Sequence, residues 1–179
     1  MTRPSLAEKV VAVDRAVADL PHAFGGALAL AYYAEPRATI DIDLNVFVGV
    51  DRLDEVAAAF ATLNVSFAEA VAVIRRDGQG RVQWDDTPID LFFAYDPFHA
   101  AAAAARRRVP FSDTTIPILA PEHLVVCKVV FNRSKDWVDI ETMLELGTAL
   151  DAAEVLRWVG RIAGDDDPRY DRIAALLTR

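Results

Sequence analysis

Apolar residues recur along the chain with two spacings, one typical of helices and the other typical of strands. Near the start, apolar side chains return at steps of four, three, four and three residues, at Leu6, Val10, Val13, Val17 and Leu20. This spacing predicts a helix that ends before Pro21, because proline cannot continue a helix. Ser5 and Glu8 form an S-x-x-E capping box in front of that helix. We therefore expect the first element of the chain to be an amphipathic helix.

Strands are predicted where apolar residues alternate with polar ones or form short runs between turn residues. These segments are 40–48, 71–74, 81–84 and 89–93, with a short edge strand at 115–119 that contains Pro117. Asp77-Gly78-Gln79-Gly80 and the segment from Asp85 to Pro88 are the expected turns of a strand meander. Such a meander after separate strands indicates a mixed sheet.

Further helices are predicted from capping residues, early prolines and helical spacing of apolar residues. They cover 27–34 and begin after Asp51, after Asp96, and at Pro121, Ser134, Asp151 and Asp167. The helix after Asp96 is expected to end in Arg106-Arg107-Arg108. The order indicates an α+β fold, with a mixed sheet flanked by helices in residues 1–120 and a helical C-terminal part in residues 121–179.

The strand predicted at 40–48 has one apolar face and one face that begins with carboxylates. Asp41 and Asp43 are two positions apart, so their side chains share a face at about 6 to 7 Å and can converge on one or two divalent cations. Asp90 lies in the apolar strand at 89–93, where a carboxylate needs a partner. That partner is either the same metal site or an arginine. Two divalent metal ions held in this way can bind a triphosphate, activate an attacking oxygen and neutralise a leaving pyrophosphate.

Gly25 and Gly26 stand directly before the helix predicted at 27–34. Glycines at such a position permit a phosphate to approach backbone N–H groups closely, and they are equally compatible with a simple tight turn. The order in which the glycine pair, the Asp41/Asp43 pair and Asp90 follow one another is more specific than any one of them.

Composition narrows the choice of function. There are 19 lysines and arginines against 27 aspartates and glutamates, a net charge of −8, which argues against binding nucleic acid through the bulk surface. With only Cys127, an intrachain disulfide or a thiolate zinc site is excluded. The longest stretch without a formal charge, Leu20 to Ala34, is shorter than a membrane span needs. We expect a cytoplasmic protein with no membrane association.

These motifs resemble those of a known superfamily. Phe24-Gly25-Gly26, Asp41-Ile42-Asp43 and Ile89-Asp90-Leu91 are similar to the hG[GS], DhD and hDh elements of the DNA polymerase β-like nucleotidyltransferases. Lys128 and the R-x-K-D-x-x-D run from Arg133 to Asp139 resemble the AbiEii/MenT branch, which comprises nucleotidyltransferase toxins of toxin–antitoxin systems and uncharacterised relatives. The likeness extends from Phe24 to Leu144, two thirds of the chain.

The resemblance implies transfer of a nucleoside monophosphate from an NTP, with Mg²⁺ or Mn²⁺ as cofactor. It implies catalytic roles for Asp41, Asp43, Asp90, Lys128, Asp136 and Asp139, the first three as metal ligands. The candidate nucleotide contacts are Gly25, Gly26, Arg37, Thr39 and Lys135. For toxin-like members the implied acceptor is the acceptor end of a tRNA, and the implied partner is a cognate antitoxin protein.

Several alternatives stay open at the level of sequence. Asp136, Asp139 and Lys135 are compatible with a solvated helix surface, and Thr39 with an ordinary strand residue. Arg106 to Arg108 fit either a helix C-terminus or a local RNA patch. An acidic protein also suits a cationic antibiotic as acceptor, so a small-molecule nucleotidyltransferase is a second function. A catalytically silent nucleotide-binding or antitoxin-like module is a third, although a silent site would be expected to lose at least one of its carboxylates.

Overall fold

The protein is described by a computed structural model over residues 3–178. Within that range the helices are α1 (Leu6–Ala16), α2 (Gly26–Leu30), α3 (Leu53–Ala61), α4 (Val71–Asp77), α5 (Pro97–Ala105), α6 (Pro121–Phe131), α7 (Ser134–Glu145), α8 (Ala152–Ala163) and α9 (Pro168–Leu177). The strands are β1 (His22–Phe24), β2 (Ile42–Val46), β3 (Gln79–Trp84), β4 (Thr87–Phe93), β5 (Arg107–Phe111) and β6 (Thr114–Ile118). The predicted α+β class is confirmed.

The strands form one six-stranded sheet in the order β3-β4-β2-β1-β6-β5. β2 pairs with β4, and β1 with β6, in parallel, whereas the other neighbours are antiparallel. The sheet is therefore mixed, as predicted. Its central strands carry the apolar core, where Phe24, Leu44 and Leu91 are fully buried.

The chain divides into two compact units. The first runs through Leu28 and from Ala38 to Leu119, and it contains the whole sheet. The second comprises Ala29–Arg37 and the chain from Ala120 onward, which forms α6 to α9. The division predicted from sequence, 1–120 and 121–179, stays a prediction about domains.

In the first unit, a buried lysine fastens α1 to the β3–β4 hairpin. Lys9 is only 1% exposed, and its Nζ donates to the carbonyl oxygen of Trp84 at 3.1 Å, to Asp86 Oδ1 at 2.9 Å and to Thr87 Oγ1 at 2.9 Å. Three acceptors use all the donors of one ammonium group. The capping box of Ser5 and Glu8 is confirmed at the start of the same helix.

The strand predicted at 71–74 is wrong, because this segment is the helix α4. A run of four apolar residues does not separate the two states by periodicity. The helix ends at Gly78, whose φ of 69° is the left-handed conformation of a helix C-terminus. The 77–80 turn is also wrong, because Asp77 ends α4 and Gln79-Gly80 open β3. The turn predicted between Asp85 and Pro88 is confirmed, at Asp85-Asp86 between β3 and β4.

The edge of the sheet is likewise displaced from its predicted position. β6 lies between β1 and β5, so it is not an edge strand. Pro117 is tolerated there because β6 meets β1 only at the Phe24–Ile118 pair, beyond the proline. The edge strand beside β6 is β5, in which Arg107 and Arg108 are strand residues; the helix α5 ends earlier, at Ala105.

Some predicted boundaries are too generous. α1 ends at Ala16, α2 ends at Leu30, and the three-residue strand β1 was not predicted. Asp51 does not cap α3, since it lies inside a short 3₁₀ turn and Arg52 precedes the helix without a side-chain cap. Caps are confirmed at Asp96, Asp151 and Asp167, whose carboxylates accept backbone N–H groups.

Candidate active site

The turn from β1 into α2 is built around Asp43. The N–H of Gly25 donates to the carbonyl oxygen of Asp43 at 2.9 Å. Gly26 has a φ of +52°, and a Cβ added to it would overlap the Asp43 carboxylate. Position 26 therefore requires glycine both for its backbone conformation and for the space that the carboxylate occupies. The glycine pair and the DhD motif, which the sequence analysis grouped together, are in direct contact.

Asp43 and Asp90 lie side by side in the sheet. β2 and β4 are parallel and Asp43 is in register with Asp90, so the two side chains project from the same face of neighbouring strands about 4.8 Å apart. Both residues are partly buried. Asp90, which follows Asp43 by 47 positions in the sequence, is thus brought next to it by one parallel strand pairing.

Asp41 lies just before β2, in irregular chain. The hydroxyl of Thr39 donates to its carboxylate, and the Asp41 N–H donates back to Thr39 Oγ1 at 3.3 Å. Thr39 is consequently not a strand residue, and it holds the Asp41 side chain in a local turn. The strand predicted at 40–48 begins only at Ile42.

Arg81 is a charged neighbour of this group that sequence reasoning missed. It lies opposite Asp90 in the β3–β4 hairpin, and its Nε and Nη2 each donate to one Asp90 oxygen at 2.7 Å. This bidentate hydrogen bond, together with the charges of Asp41 and Asp43, raises the pKa of the Arg81 guanidinium above its ordinary value. Of the two partners considered for Asp90, a metal site and an arginine, the structure contains the arginine.

The carboxylates have the right chemistry for Mg²⁺ or Mn²⁺ but do not form a completed metal site. Among residues 3–178, no group of three or more His, Cys, Asp or Glu side chains is arranged to hold a metal ion. Oxygen-only donors from Asp41, Asp43 and Asp90 are what these hard cations prefer. The Asp90 oxygens bind Arg81, and Asp41 binds Thr39. The donor set therefore fits the cation, and Arg81 offsets one of its three negative charges.

A second charged group is buried in the helical unit. Lys128 on α6 donates to Asp139 Oδ2 on α7 at 2.6 Å, and both side chains are less than 10% exposed. Arg37 also donates to Asp139 Oδ2, at 3.3 Å. Asp136 lies 3.9 Å from Lys128 and accepts hydrogen bonds from Arg133, including its backbone N–H at the start of α7. A buried lysine pair of this kind fixes the position of its ammonium group.

The solvated helix surface considered for this segment is therefore wrong for Asp136 and Asp139, which are buried, and right for Lys135, which is exposed. The candidate residues fall into two groups by unit. In the first unit the structure brings together Gly25, Gly26, Asp43 and Asp90, with Asp41 and Thr39 adjacent in the chain. In the second unit it brings together Arg37, Lys128, Asp136 and Asp139.

Comparison with known families decides what this geometry belongs to. The family model of the nucleotidyl transferase AbiEii toxin, from type IV toxin–antitoxin systems, matches residues 11–178. The chain belongs to the AbiEii family. It is accordingly a nucleotidyltransferase, and the resemblance found in the sequence is confirmed. None of the curated proteins compared with the chain matches it.

Solved structures with the same fold are also nucleotidyltransferases. The solution structure of the antibiotic-resistance factor ANT(2'')-Ia is 16% identical, with a TM-score of 0.62 over 96% of this chain and 95% of that one. The crystal structure of ANT(2'')-Ia in complex with adenylyl-2''-tobramycin is 17% identical, with a TM-score of 0.55 and 97% coverage of both chains. An antigenic nucleotidyltransferase-like protein from Paracoccidioides brasiliensis is 14% identical, with a TM-score of 0.52 over 94% of this chain and 89% of that one. At such identities the similarity establishes the fold of this AbiEii member.

Within residues 3–178, none of the helices has both the length and the apolar composition needed to cross a bilayer.

Proposed function

We propose that this AbiEii member transfers a nucleoside monophosphate from an NTP to an RNA acceptor, with the end of a tRNA as the leading candidate. We further propose that the transfer depends on Mg²⁺ or Mn²⁺. The observation that carries the proposal is the placement of Asp43 and Asp90 in register on parallel strands, with Gly26 against the Asp43 carboxylate. That arrangement occurs within the segment that matches the family.

In the proposed reaction, a hydroxyl oxygen of the acceptor attacks the α-phosphorus of the NTP. The bond from that phosphorus to the bridging oxygen breaks, pyrophosphate leaves, and the hydroxyl proton passes to a carboxylate or to water. Asp41, Asp43 and Asp90 would hold the divalent cation, which when bound supplies positive charge to the triphosphate and the leaving pyrophosphate. The protein residues position the reactants, which is the main part of catalysis in phosphoryl chemistry.

Lys128 and Asp139 are proposed as a second functional group. Their hydrogen bond of 2.6 Å is buried, and lysines are seldom fully buried without a specific reason. Asp136 belongs to the same cluster and also caps α7. Gly25, Gly26, Arg37, Thr39 and Lys135 remain the proposed contacts of the NTP.

The family name supports two further parts of the proposal. A toxin of a toxin–antitoxin system is paired with an antitoxin, so we propose a cognate antitoxin protein as partner. We also propose a cytoplasmic location for the enzyme, because NTPs and RNA, its proposed substrates, occur there.

A small-molecule acceptor is the second candidate function. The solved structure of ANT(2'')-Ia contains adenylyl-2''-tobramycin, and a chain with a net charge of −8 attracts cationic molecules of that kind. The presence of all three carboxylates argues against a catalytically silent module.

The deciding experiment offers both acceptor classes to the purified protein. Each labelled NTP is incubated with Mg²⁺ and either total tRNA or a panel of aminoglycosides, using wild type, Asp43→Asn and the control Asp54→Asn. Asp54 is an exposed carboxylate paired with Arg75 in the same unit. We expect label in tRNA for wild type and Asp54→Asn, and none for Asp43→Asn.

The other outcomes have distinct meanings. Label in aminoglycosides alone would replace the first function with the second. NTP binding in a calorimeter without transfer to either acceptor would support the silent module. Equal transfer by wild type and Asp43→Asn would remove Asp43 from the reaction.

A further inference from the structure

Asp90, which binds the guanidinium of Arg81, is also a proposed ligand of the divalent cation. Asp90 stands between Asp43 on one neighbouring strand and Arg81 on the other. All three side chains project from the same face of the sheet, because residues paired across strands share a face. The guanidinium is therefore on the metal-binding side of the sheet.

We propose that Arg81 is a positioning residue that serves as the internal counter-ion of the site and must release Asp90 before a divalent cation can bind both oxygens of that carboxylate. This inference rests on the proposed function, since it deepens the same site. Arg81 donates to both Asp90 oxygens at 2.7 Å and so occupies the side of the carboxylate on which a cation would be chelated by both oxygens at once.

Electrostatics favour the replacement of Arg81 by a divalent cation at Asp90. Asp41, Asp43 and Asp90 are grouped, and like charges at such distances repel unless a cation lies among them. In the absence of a metal, Arg81 supplies that positive charge. When a divalent cation enters, a guanidinium beside it becomes unfavourable, and repulsion between the two cations favours release of Arg81.

Exposure makes the exchange feasible. The Arg81 side chain is 57% exposed and that of Asp90 21% exposed, and ion pairs at such positions contribute little stability because water replaces their contacts. The Lys128–Asp139 pair, at 5% and 8% exposure, has no such freedom, since breaking a buried pair leaves an unsolvated charge. Only the first of these two pairs is suited to opening during a reaction.

A matched control exists in the same unit. Arg76 binds Asp77 through the same fork, with Nε and Nη2 each 2.7 Å from one oxygen, and both residues are exposed. Arg76→Gln thus removes the same charge and the same bidentate geometry as Arg81→Gln, at an exposed ion pair that is not part of the carboxylate group.

The test is a titration with Mn²⁺ alone, without nucleotide, followed by electron paramagnetic resonance of the free ion at fixed pH and ionic strength. We expect Arg81→Gln to bind Mn²⁺ about tenfold more tightly than wild type, as removal of one nearby positive charge implies. Arg76→Gln should bind like wild type. Asp43→Asn should lose the binding in either background.

Two results would overturn the inference, and they differ. Unchanged or weaker binding by Arg81→Gln, with binding by wild type intact, would refute the role of Arg81 and leave the metal site standing. No binding by wild type or by Arg81→Gln would refute the metal site itself.

A measurement on the wild type covers the case in which Arg81→Gln does not fold. The Nε–H resonances of arginine are followed by NMR as Mg²⁺ is added, with Arg81→Lys used only to assign the Arg81 signal. We expect the Arg81 resonance to move towards that of a solvated guanidinium while the Arg76 resonance stays in place. An Arg81 signal unaffected by saturating Mg²⁺ would refute the exchange.

Discussion

Gly26 contacts the carboxylate of Asp43 so closely that no side chain fits between them. The glycine of the first motif is thus explained by the aspartate of the second. Gly26 also has a φ of +52°, so position 26 needs glycine for two reasons, its backbone conformation and the space taken by the carboxylate. They can be separated by experiment.

The first prediction concerns Gly26→Ala. The left-handed backbone costs about 1 kcal/mol for a residue with a Cβ, and displacement of Asp43 adds to it. Gly147→Ala is the control, because Gly147 has a φ of 74° with nothing within 4 Å of an added Cβ. Urea unfolding should show a loss of about 1 kcal/mol for Gly147→Ala and a larger one for Gly26→Ala. Transfer of label should fall only for Gly26→Ala; equal activities would mean that the Asp43 carboxylate tolerates displacement.

The second prediction concerns the buried pair of Lys128 and Asp139. Asp139→Asn removes the carboxylate that accepts from Lys128 at 2.6 Å and leaves Asp136, 3.9 Å away, as the remaining carboxylate near the buried ammonium. It should lower the free energy of unfolding by about 3 kcal/mol. The double variant Lys128→Met/Asp139→Leu removes both charges and should recover much of that loss. If the pair also functions in transfer, the double variant folds but stays inactive. A stable and active double variant would assign the pair a structural role alone.

The third prediction concerns Lys9, which is placed in the fold and not in the reaction. Lys9→Met removes three hydrogen bonds to the β3–β4 turn and leaves their acceptors without this donor. We expect a loss of about 2 kcal/mol in the free energy of unfolding, within the range for a disrupted buried polar network. Lys135→Met, at an exposed position, is the stability control and should change little. Equal unfolding midpoints for the two variants would contradict the assigned contacts.

The fourth prediction concerns pH. Hydrogen bonds from the Arg169 side chain and backbone N–H lower the pKa of Asp167 from 3.8 to about 2. A carboxyl whose pKa is lower in the folded state stabilises the fold above its unfolded pKa, and this contribution disappears as the pH falls through its folded pKa. The stability difference between wild type and Asp167→Asn should therefore be constant above about pH 5 and shrink between about pH 4 and pH 2. Thermal unfolding across this range measures it, and a difference independent of pH would exclude an ionised Asp167 from the cap.

Local signals in the sequence were sufficient for much of the fold. Caps such as Ser5, Asp96 and Asp167 act on backbone groups within the next turn of helix, so their effect can be predicted from a few neighbouring residues. The glycine pair and the Asp41/Asp43 pair were also identified together, because their order along the chain is itself informative. The family match confirms the class of reaction to which they were assigned.

Features that depend on contacts distant in sequence were missed. Arg81 becomes a partner of Asp90 only with the two-residue turn at Asp85-Asp86, which pairs Trp84 with Thr87. The longer turn predicted from Asp85 to Pro88 would place Arg81 opposite Phe92 instead. The burial of Asp136 and Asp139 comes from packing of α7, which an i, i+3 pattern of charges does not reveal. β5 was not predicted, because its arginines and Pro110 are residues that suit an exposed edge strand but do not indicate a strand from sequence.

Asp43, Asp90 and Arg81 form a single row across three adjacent strands, each at a fixed strand spacing from the next. A release of Asp90 by Arg81 then needs only rotation about side-chain bonds, which takes picoseconds to nanoseconds at exposed residues. The resting and metal-loaded proteins would share one backbone and differ in rotamers. Structures of the two states are expected to superimpose along these strands, and the step would be too fast to limit turnover.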